Sequence, residues 1–433
     1  MKLHSTKNHR KLVSLKEAVL KSLPDDNGLY VPQQLLRLPD SFISELSNLE
    51  ISEINYQVVH HLIGDDIPDG KLREIVEEAI NFPAPVVHVH GEIYCLELYH
   101  GPTLAFKDFG ARFMARLMGY FMENEKRHLH ILVATSGDTG GAVASGFYDV
   151  DGITVTILYP SGKVSPLQEK QLTTLGKNIR AIEVEGSFDD CQALVKKAFL
   201  DQDLKDKLLL SSANSINIAR LIPQTLYYFQ AVAQLDNNSN KVALSVPSGN
   251  FGNLTAGLYA KKTGLPIDAF IAATNINDTF PRYIQSGNYQ AMKSRTTISN
   301  AMDVGDPSNF QRIMYLYDND VNALKQDIWS ASYTDEETRM TLKRVFTDEN
   351  YLMDPHGAVG YLGLKNFLKQ NNGYSGIFLE TAHPSKFLEV VEETIGQKVE
   401  IPERLAILKN KEKEATMMEN DYNSFKNYLM AGN

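Results

Sequence analysis

The chain has 433 residues, 43% of them hydrophobic and 22% charged, with a formal net charge of −10. That length exceeds one ordinary core and favours two or more domains, and the composition excludes a disordered chain. The negative balance argues against a nucleic-acid partner, so an anionic ligand must be held by a local cluster of donors.

The first 80 residues read as helices broken by turn clusters at 24–28 and 64–70, and 1–90 is expected to form an N-terminal helical subdomain. Residues 86–98 suit a hairpin of two alternating runs around Gly91 and Glu92. A helix is expected over 108–124. Beyond it a strand, a glycine turn and a helix recur: 130–134, 153–158, 242–246 and 377–379 are short apolar runs that stop at turn residues. Alternation of this kind predicts an α/β fold with parallel sheets flanked by helices, divided here as 91–240 and 241–433. Residues 286–350 are more polar and read as a helical insertion, and the charged tail after Leu405 reads as helical. Cys95 and Cys191 give no disulfide framework or zinc spacing, and no stretch of 18 uninterrupted apolar residues occurs. A cytoplasmic protein with no membrane partner is the expectation.

Four segments carry candidate chemistry. Lys107 lies in His-Gly-Pro-Thr-Leu-Ala-Phe-Lys-Asp-Phe, 100–109, between a Gly-Pro turn and an apolar helix. Burial there would favour its neutral, nucleophilic amine, although a lysine before a helix is more often a solvated charge. Gly249, Asn250, Phe251, Gly252 and Asn253 follow one strand and open a helix, which bares successive N–H groups to an anion; a single phosphate fits better than a dinucleotide. Ser136, Gly137, Asp138 and Thr139 repeat that logic with hydroxyls added, and Asp138 reads there as a helix N-cap. Asn214, Ser215 and Arg220 form a donor-rich stretch suited to phosphate oxygens, with a plain polar loop as the alternative. Two such loops at the C-terminal ends of parallel strands imply a ligand crevice at the end of the sheet. The pairs His60-His61 and His88/His90 lack the carboxylate or cysteine partners of a metal site, so no metal is expected.

These segments together resemble the threonine synthase family, in the fold type II group of pyridoxal-phosphate enzymes (tryptophan synthase β-like), over nearly the whole length. The resemblance rests on Gly28-Leu29-Tyr30-Val31-Pro32, 100–109, 135–140, 212–221, 246–253, Met302-Asp303, Pro307-Ser308-Asn309-Phe310, Asp354-Pro355-His356 and 381–387. It implies a pyridoxal 5'-phosphate cofactor in Schiff-base linkage to Lys107, with its phosphate on Gly249, Asn250, Phe251, Gly252 and Asn253, and Thr381 facing the pyridine nitrogen. Asp138 would stand near the cofactor's 3-hydroxyl, where many relatives have asparagine. Ser136, Gly137 and Thr139 would take the substrate carboxylate, and Asn214, Ser215 and Arg220 its phosphate. Ile218 departs from the tryptophan frequent in close relatives.

The reaction so implied converts O-phospho-L-homoserine and water to L-threonine and phosphate, the last step of threonine biosynthesis, in a monomer or homodimer. Lys107 would be the general base at Cα. Two other readings compete: a fold type II lyase acting on O-phosphoserine or a related amino acid, and a non-catalytic phosphate-binding protein.

Overall fold

The computed structural model describes residues 1–135, 137–235 and 240–432. Three sheets organise it. The first is a small antiparallel sheet of β1 (Lys2–Ser5), β2 (Val13–Ser14) and β3 (Tyr30–Pro32), in the order β2-β1-β3. The 86–98 hairpin forms as expected, with β4 (Val86–His90) antiparallel to β5 (Ile93–Glu97). A second sheet contains β6 (Leu129–Ala134), β7 (Ile153–Pro160), β8 (Ile179–Glu185) and β9 (Leu209–Ser212). A third contains β10 (Lys241–Pro247), β11 (Ala269–Thr274), β12 (Ile328–Ser332) and β13 (Tyr374–Glu380), and β14 (Thr416–Glu419) ends the series.

The two larger sheets have the orders β14-β8-β7-β6-β9 and β12-β11-β10-β13-β5-β4, parallel throughout except for β4. Helices cover both faces, which is why the central strands read as continuous apolar runs. Every residue of β7 and of β11 is buried.

Pairing overrides chain contiguity, and this corrects the division at 90 and 240. The edge of β13 is completed by β5 from before residue 100, and the edge of β8 by β14 from the tail. Both additions satisfy a ladder that would otherwise be left open. The tail is therefore not simply helical: it contains Glu403–Ala406, β14 and the helix Tyr422–Met430. Residues 286–350 likewise hold the edge strand β12 beside three α-helices. The N-terminal segment contributes a sheet as well as helices, and it has no separate core. Leu3, Val58 and Leu72 belong to one apolar cluster with Phe113, Ile131, Leu244 and Phe270.

Candidate active site

The helix Lys107–Met122 begins one residue earlier than the sequence suggested, so Lys107 is its first residue. The loop before it is tied down on both sides. Asp108, fully buried, accepts from Thr103 N (2.8 Å) and Thr103 Oγ1 (2.7 Å). Phe106 N donates to Thr381 O (2.9 Å), Ala105 bridges to Ala382, and His383 N donates to Leu104 O (3.0 Å). These bonds hold the end of β13 beside Lys107, so the two residues expected at opposite ends of a cofactor ring lie on one docked strip. Lys107 keeps part of its surface accessible. Burial pushes its amine below the ordinary lysine value, with Lys386 and Arg220 acting in the same direction and Asp138 and Asp354 opposing.

The loop after β6 is built differently from expectation. Asp138 is not the N-cap. Gly137 is the N-cap residue and Thr135 Oγ1 supplies the capping acceptor, accepting from Gly137 N (3.0 Å) and Gly140 N (2.9 Å), while Asp138 is the first residue of the helix Asp138–Phe147. With capping done by Thr135, the Asp138 carboxylate turns elsewhere: its Oδ1 lies 2.7 Å from Lys386 Nζ and accepts from Gln168 Nε2 (2.8 Å). Burial alone would raise this carboxyl, but Lys386, Lys107 and the Gln168 bond outweigh it and hold the group well below the usual carboxylate range. Thr139 is half-buried in the first turn. Ser136 lies outside the described residues.

The loop after β10 has the properties of a phosphate cradle. Phe251 is left-handed (φ 60°, ψ 15°) and precedes the 11-residue helix Gly252–Lys262. Ser248 N donates to Ala273 O and Thr255 N to Phe251 O. Between them the N–H groups of Gly249, Asn250, Phe251, Gly252 and Asn253 find no acceptor among the described residues. A run of unspent amides at a helix N-terminus suits a phosphate. A Cβ at Gly249 would meet Ala301 O at 2.7 Å and Met302 Cα at 2.8 Å, so only glycine fits. The side chain of Asn253 folds inward to Pro247 O (2.9 Å), leaving its backbone to the loop.

The segment after β9 joins the two loops. Asn214 Nδ2 donates to Ala134 O (2.9 Å), at the end of β6. Ser215 Oγ accepts from Asn250 Nδ2 (2.6 Å) and Asn309 Nδ2 (3.3 Å), which leaves its own O–H free to donate. Arg220 is buried, donates from Nη1 to Ala213 O (2.6 Å), and has no partner for Nε among the described residues. That nitrogen lies against the Lys107–Met122 helix, where a Cβ at Gly110 would come within 2.7 Å of it. Burial lowers the guanidinium to about 10, Asp108 opposing, so it remains a cation at neutral pH. Ile218 is fully buried in the core beside this segment.

Sequence reasoning gave no role to several residues that shape the site. Arg312 braces the 214–216 loop from behind, and Lys386 pairs with Asp138. Behind Thr381, Glu380 is fully buried, with Oε1 accepting from Asp354 N (2.5 Å) and Oε2 unpartnered among the described residues. Burial, reinforced by Asp354 and Glu97 and opposed by the bond from Asp354 N, raises its carboxyl well above the usual range. Asp354 caps the helix Pro355–Gln370 through Gly357 N (2.6 Å) and bonds His356 Nδ1 (2.8 Å). His356 Nε2 accepts from Ala301 N (3.2 Å), which assigns the Nδ1–H tautomer and links the Thr381 strip to the wall behind Gly249. Asp354, His356 and Lys386 fall within stretches that carry the family resemblance but had no role assigned there, and Arg312 and Glu380 fall outside them. His88 and His90, by contrast, bond Gly91 O and Tyr361 OH, away from the crevice.

A partly buried amine, a glycine cradle with unspent amides and a hydroxyl residue docked beside the amine are what a pyridoxal-phosphate site requires. A family model described as pyridoxal-phosphate dependent enzyme matches residues 79–376. The chain is a pyridoxal-phosphate-dependent enzyme of fold type II. Models of the threonine synthase N terminus and C-terminal region match 2–80 and 357–429. Threonine synthase of Haemophilus influenzae is 47% identical over 431 residues, covering 99% of this chain and 100% of the relative. The crystal structure of threonine synthase from Escherichia coli superposes with a TM-score of 0.94 at 45% identity and 100% coverage of both chains. A PLP-bound threonine synthase from Brucella melitensis gives 0.94 at 34% identity, covering 100% of this chain and 99% of that one. The chain belongs to the threonine synthase family. No helix among the described residues is long and apolar enough to cross a membrane.

Proposed function

We propose that this crevice converts O-phospho-L-homoserine and water to L-threonine and phosphate, in the cytoplasm and as a monomer or homodimer. The observation that supports the reading is a partly buried amine whose charge balance is set by Asp138 and Arg220, in a chain with three donor-rich stretches of different construction. The cradle at 249–253 suits the cofactor phosphate. The helix N-terminus at Asp138 and Thr139 suits the substrate carboxylate, together with Gly137 and Ser136. Asn214, Ser215 and Arg220 suit the substrate phosphate.

Pyridoxal phosphate, when bound, supplies the electron sink for negative charge developing at Cα. The rest is work for the side chains. Lys107 Nζ would hold the cofactor, and as a free amine it removes the Cα proton and later delivers a proton to Cγ; burial lowers its proton affinity. Loss of a Cβ proton lets the phosphate leave Cγ with the C–O electron pair, to be received by Arg220 and Ser215; once Cγ is protonated, the hydroxyl of water adds at Cβ and a proton returns to Cα. Thr381 would offer the pyridine nitrogen a hydroxyl and no charge.

The test compares O-phospho-L-homoserine with O-phospho-L-serine in an assay of phosphate and threonine. Threonine should form from the former, and Lys107→Ala should lose both activity and the holoenzyme's visible absorption band. Phosphate release from phosphoserine alone would return the reading to a shorter-substrate lyase. A wild type that stays colourless with added cofactor would favour the non-catalytic alternative.

A further inference from the structure

The side chain of Lys386 is fully buried, and that of Asp138 nearly so, yet both are engaged as ions at 2.7 Å. Lys386 reaches this position from the turn Pro384–Phe387, after β13, and its Nζ also donates to Thr103 O (2.9 Å). Thr103 is the residue whose N–H and hydroxyl are held by Asp108, four residues before Lys107. One ammonium thus ties three segments together: the Lys107 loop, the helix N-terminus after β6 and the turn after Thr381. Burying two charges is expensive and leaves a charge stranded if either partner is lost, so a pair at this location calls for an explanation beyond stability.

We propose that Lys386 is a positioning residue for Lys107, holding the Asp138 carboxylate turned away from its own helix N-terminus while setting the electrostatic balance around the reacting amine. The groups that act on Lys107 are Asp138 from the helix after β6, Lys386 from the turn after β13, Arg220 from the segment after β9, and Asp354 from the cap of the Pro355–Gln370 helix. Lys386 and Arg220 favour the neutral amine, and Asp138 and Asp354 favour the charged one. Lys386 therefore does two things: it opposes the protonation of Lys107 directly, and it partly neutralises the carboxylate that promotes it.

This inference rests on Lys107 as the cofactor-bearing amine, and the experiment separates the two claims. The holoenzyme is titrated by its visible absorption band, and the pH midpoint is compared in wild type, Lys386→Gln, Lys386→Met and Lys386→Arg, with circular dichroism to monitor folding. Loss of the cation should raise the midpoint by about one pH unit or more in the Gln and Met variants, and Lys386→Arg should restore it. A band that does not depend on Lys107 refutes the underlying assignment. A Lys107-dependent band whose midpoint is unmoved in folded Lys386→Gln or Lys386→Met overturns the positioning role alone. If both of these variants fail to fold while Lys386→Arg folds, Lys386 is a structural tie between segments, and the proposal is likewise overturned.

Discussion

Arg220 and Arg312 are both buried arginines held at about 10 by burial, and neither is paired with a carboxylate, yet the structure uses them in opposite ways. Arg312 is enclosed by acceptors: Nε donates to Tyr30 O (3.1 Å), Nη1 to Ser215 O (3.0 Å) and Asn309 Oδ1 (2.7 Å), and Nη2 to Ile216 O (2.6 Å). Its charge is spread over backbone carbonyls that come from the N-terminal sheet and from the substrate-side loop. Among the described residues the Arg220 guanidinium makes one bond, to Ala213 O, and leaves Nε unpartnered. A satisfied buried cation is scaffold. An under-satisfied one keeps donor capacity that an anion arriving from outside can use.

Replacing Arg312 should have the larger effect. Arg312→Leu strands three backbone carbonyls and Asn309 Oδ1, and we expect a loss on the order of 3–5 kcal/mol in stability, read from the urea midpoint. Activity should fall with the folded fraction and with the position of Ser215. Arg220→Ala should behave in reverse. It removes a poorly satisfied buried charge, so stability should change by less than about 1 kcal/mol, while KM rises by about ten- to a hundredfold, the equivalent of roughly 1.5–3 kcal/mol. If both variants lose stability alike, the distinction between scaffold and site breaks.

A smaller perturbation sharpens the same contrast at the phosphate cradle. Gly249→Ala forces a methyl against Ala301 O and Met302 Cα, and the loop must move by a few tenths of an ångström or more. The cost should be about 1–2 kcal/mol and should fall on cofactor affinity, measured by titrating the apoenzyme, as a roughly tenfold rise in Kd.

What the sequence made legible follows from what is local. β6, β7, β10 and β13 announced themselves because strands covered on both faces must be apolar throughout, and the glycine loops after β6 and β10 stand out against them. β14 did not, since a four-residue edge strand with one buried side chain carries no pattern to read. Long-range partners were equally hidden. Asp138 looks like an N-cap in any local window, and only the fold shows that Thr135 fills that role and that the carboxylate's true partner lies 248 residues along the chain. Arg312 sits in a stretch that reads as a polar helical insertion, and nothing nearby in sequence marks Tyr30, Ser215 and Ile216 as its acceptors. The candidate residues were readable as donors and nucleophiles; the residues that hold them were not, because their bonds cross between distant segments.

His383 gives a third outcome for a buried ionisable group and the smallest predicted effect. Here the protein avoids the charge altogether. Burial, with help from His100 and Arg404 and against Glu97 and Asp354, lowers the imidazole to about 4 from the ordinary 6.5. Neutral Nδ1 accepts from Ser385 N (3.1 Å) and so caps the turn that carries Lys386. The folded state binds fewer protons than the unfolded state between pH 4 and 6.5, so this contribution to stability is complete above about 6.5 and is lost as pH falls toward 4. His383→Asn keeps a side-chain oxygen for the cap and removes the titration. Its urea midpoint should therefore fall less than that of wild type between pH 7 and pH 5, by about 1 kcal/mol. Parallel pH profiles for the two proteins would mean that His383 takes up its proton equally in the folded and unfolded states and that the cap does not depend on its neutrality.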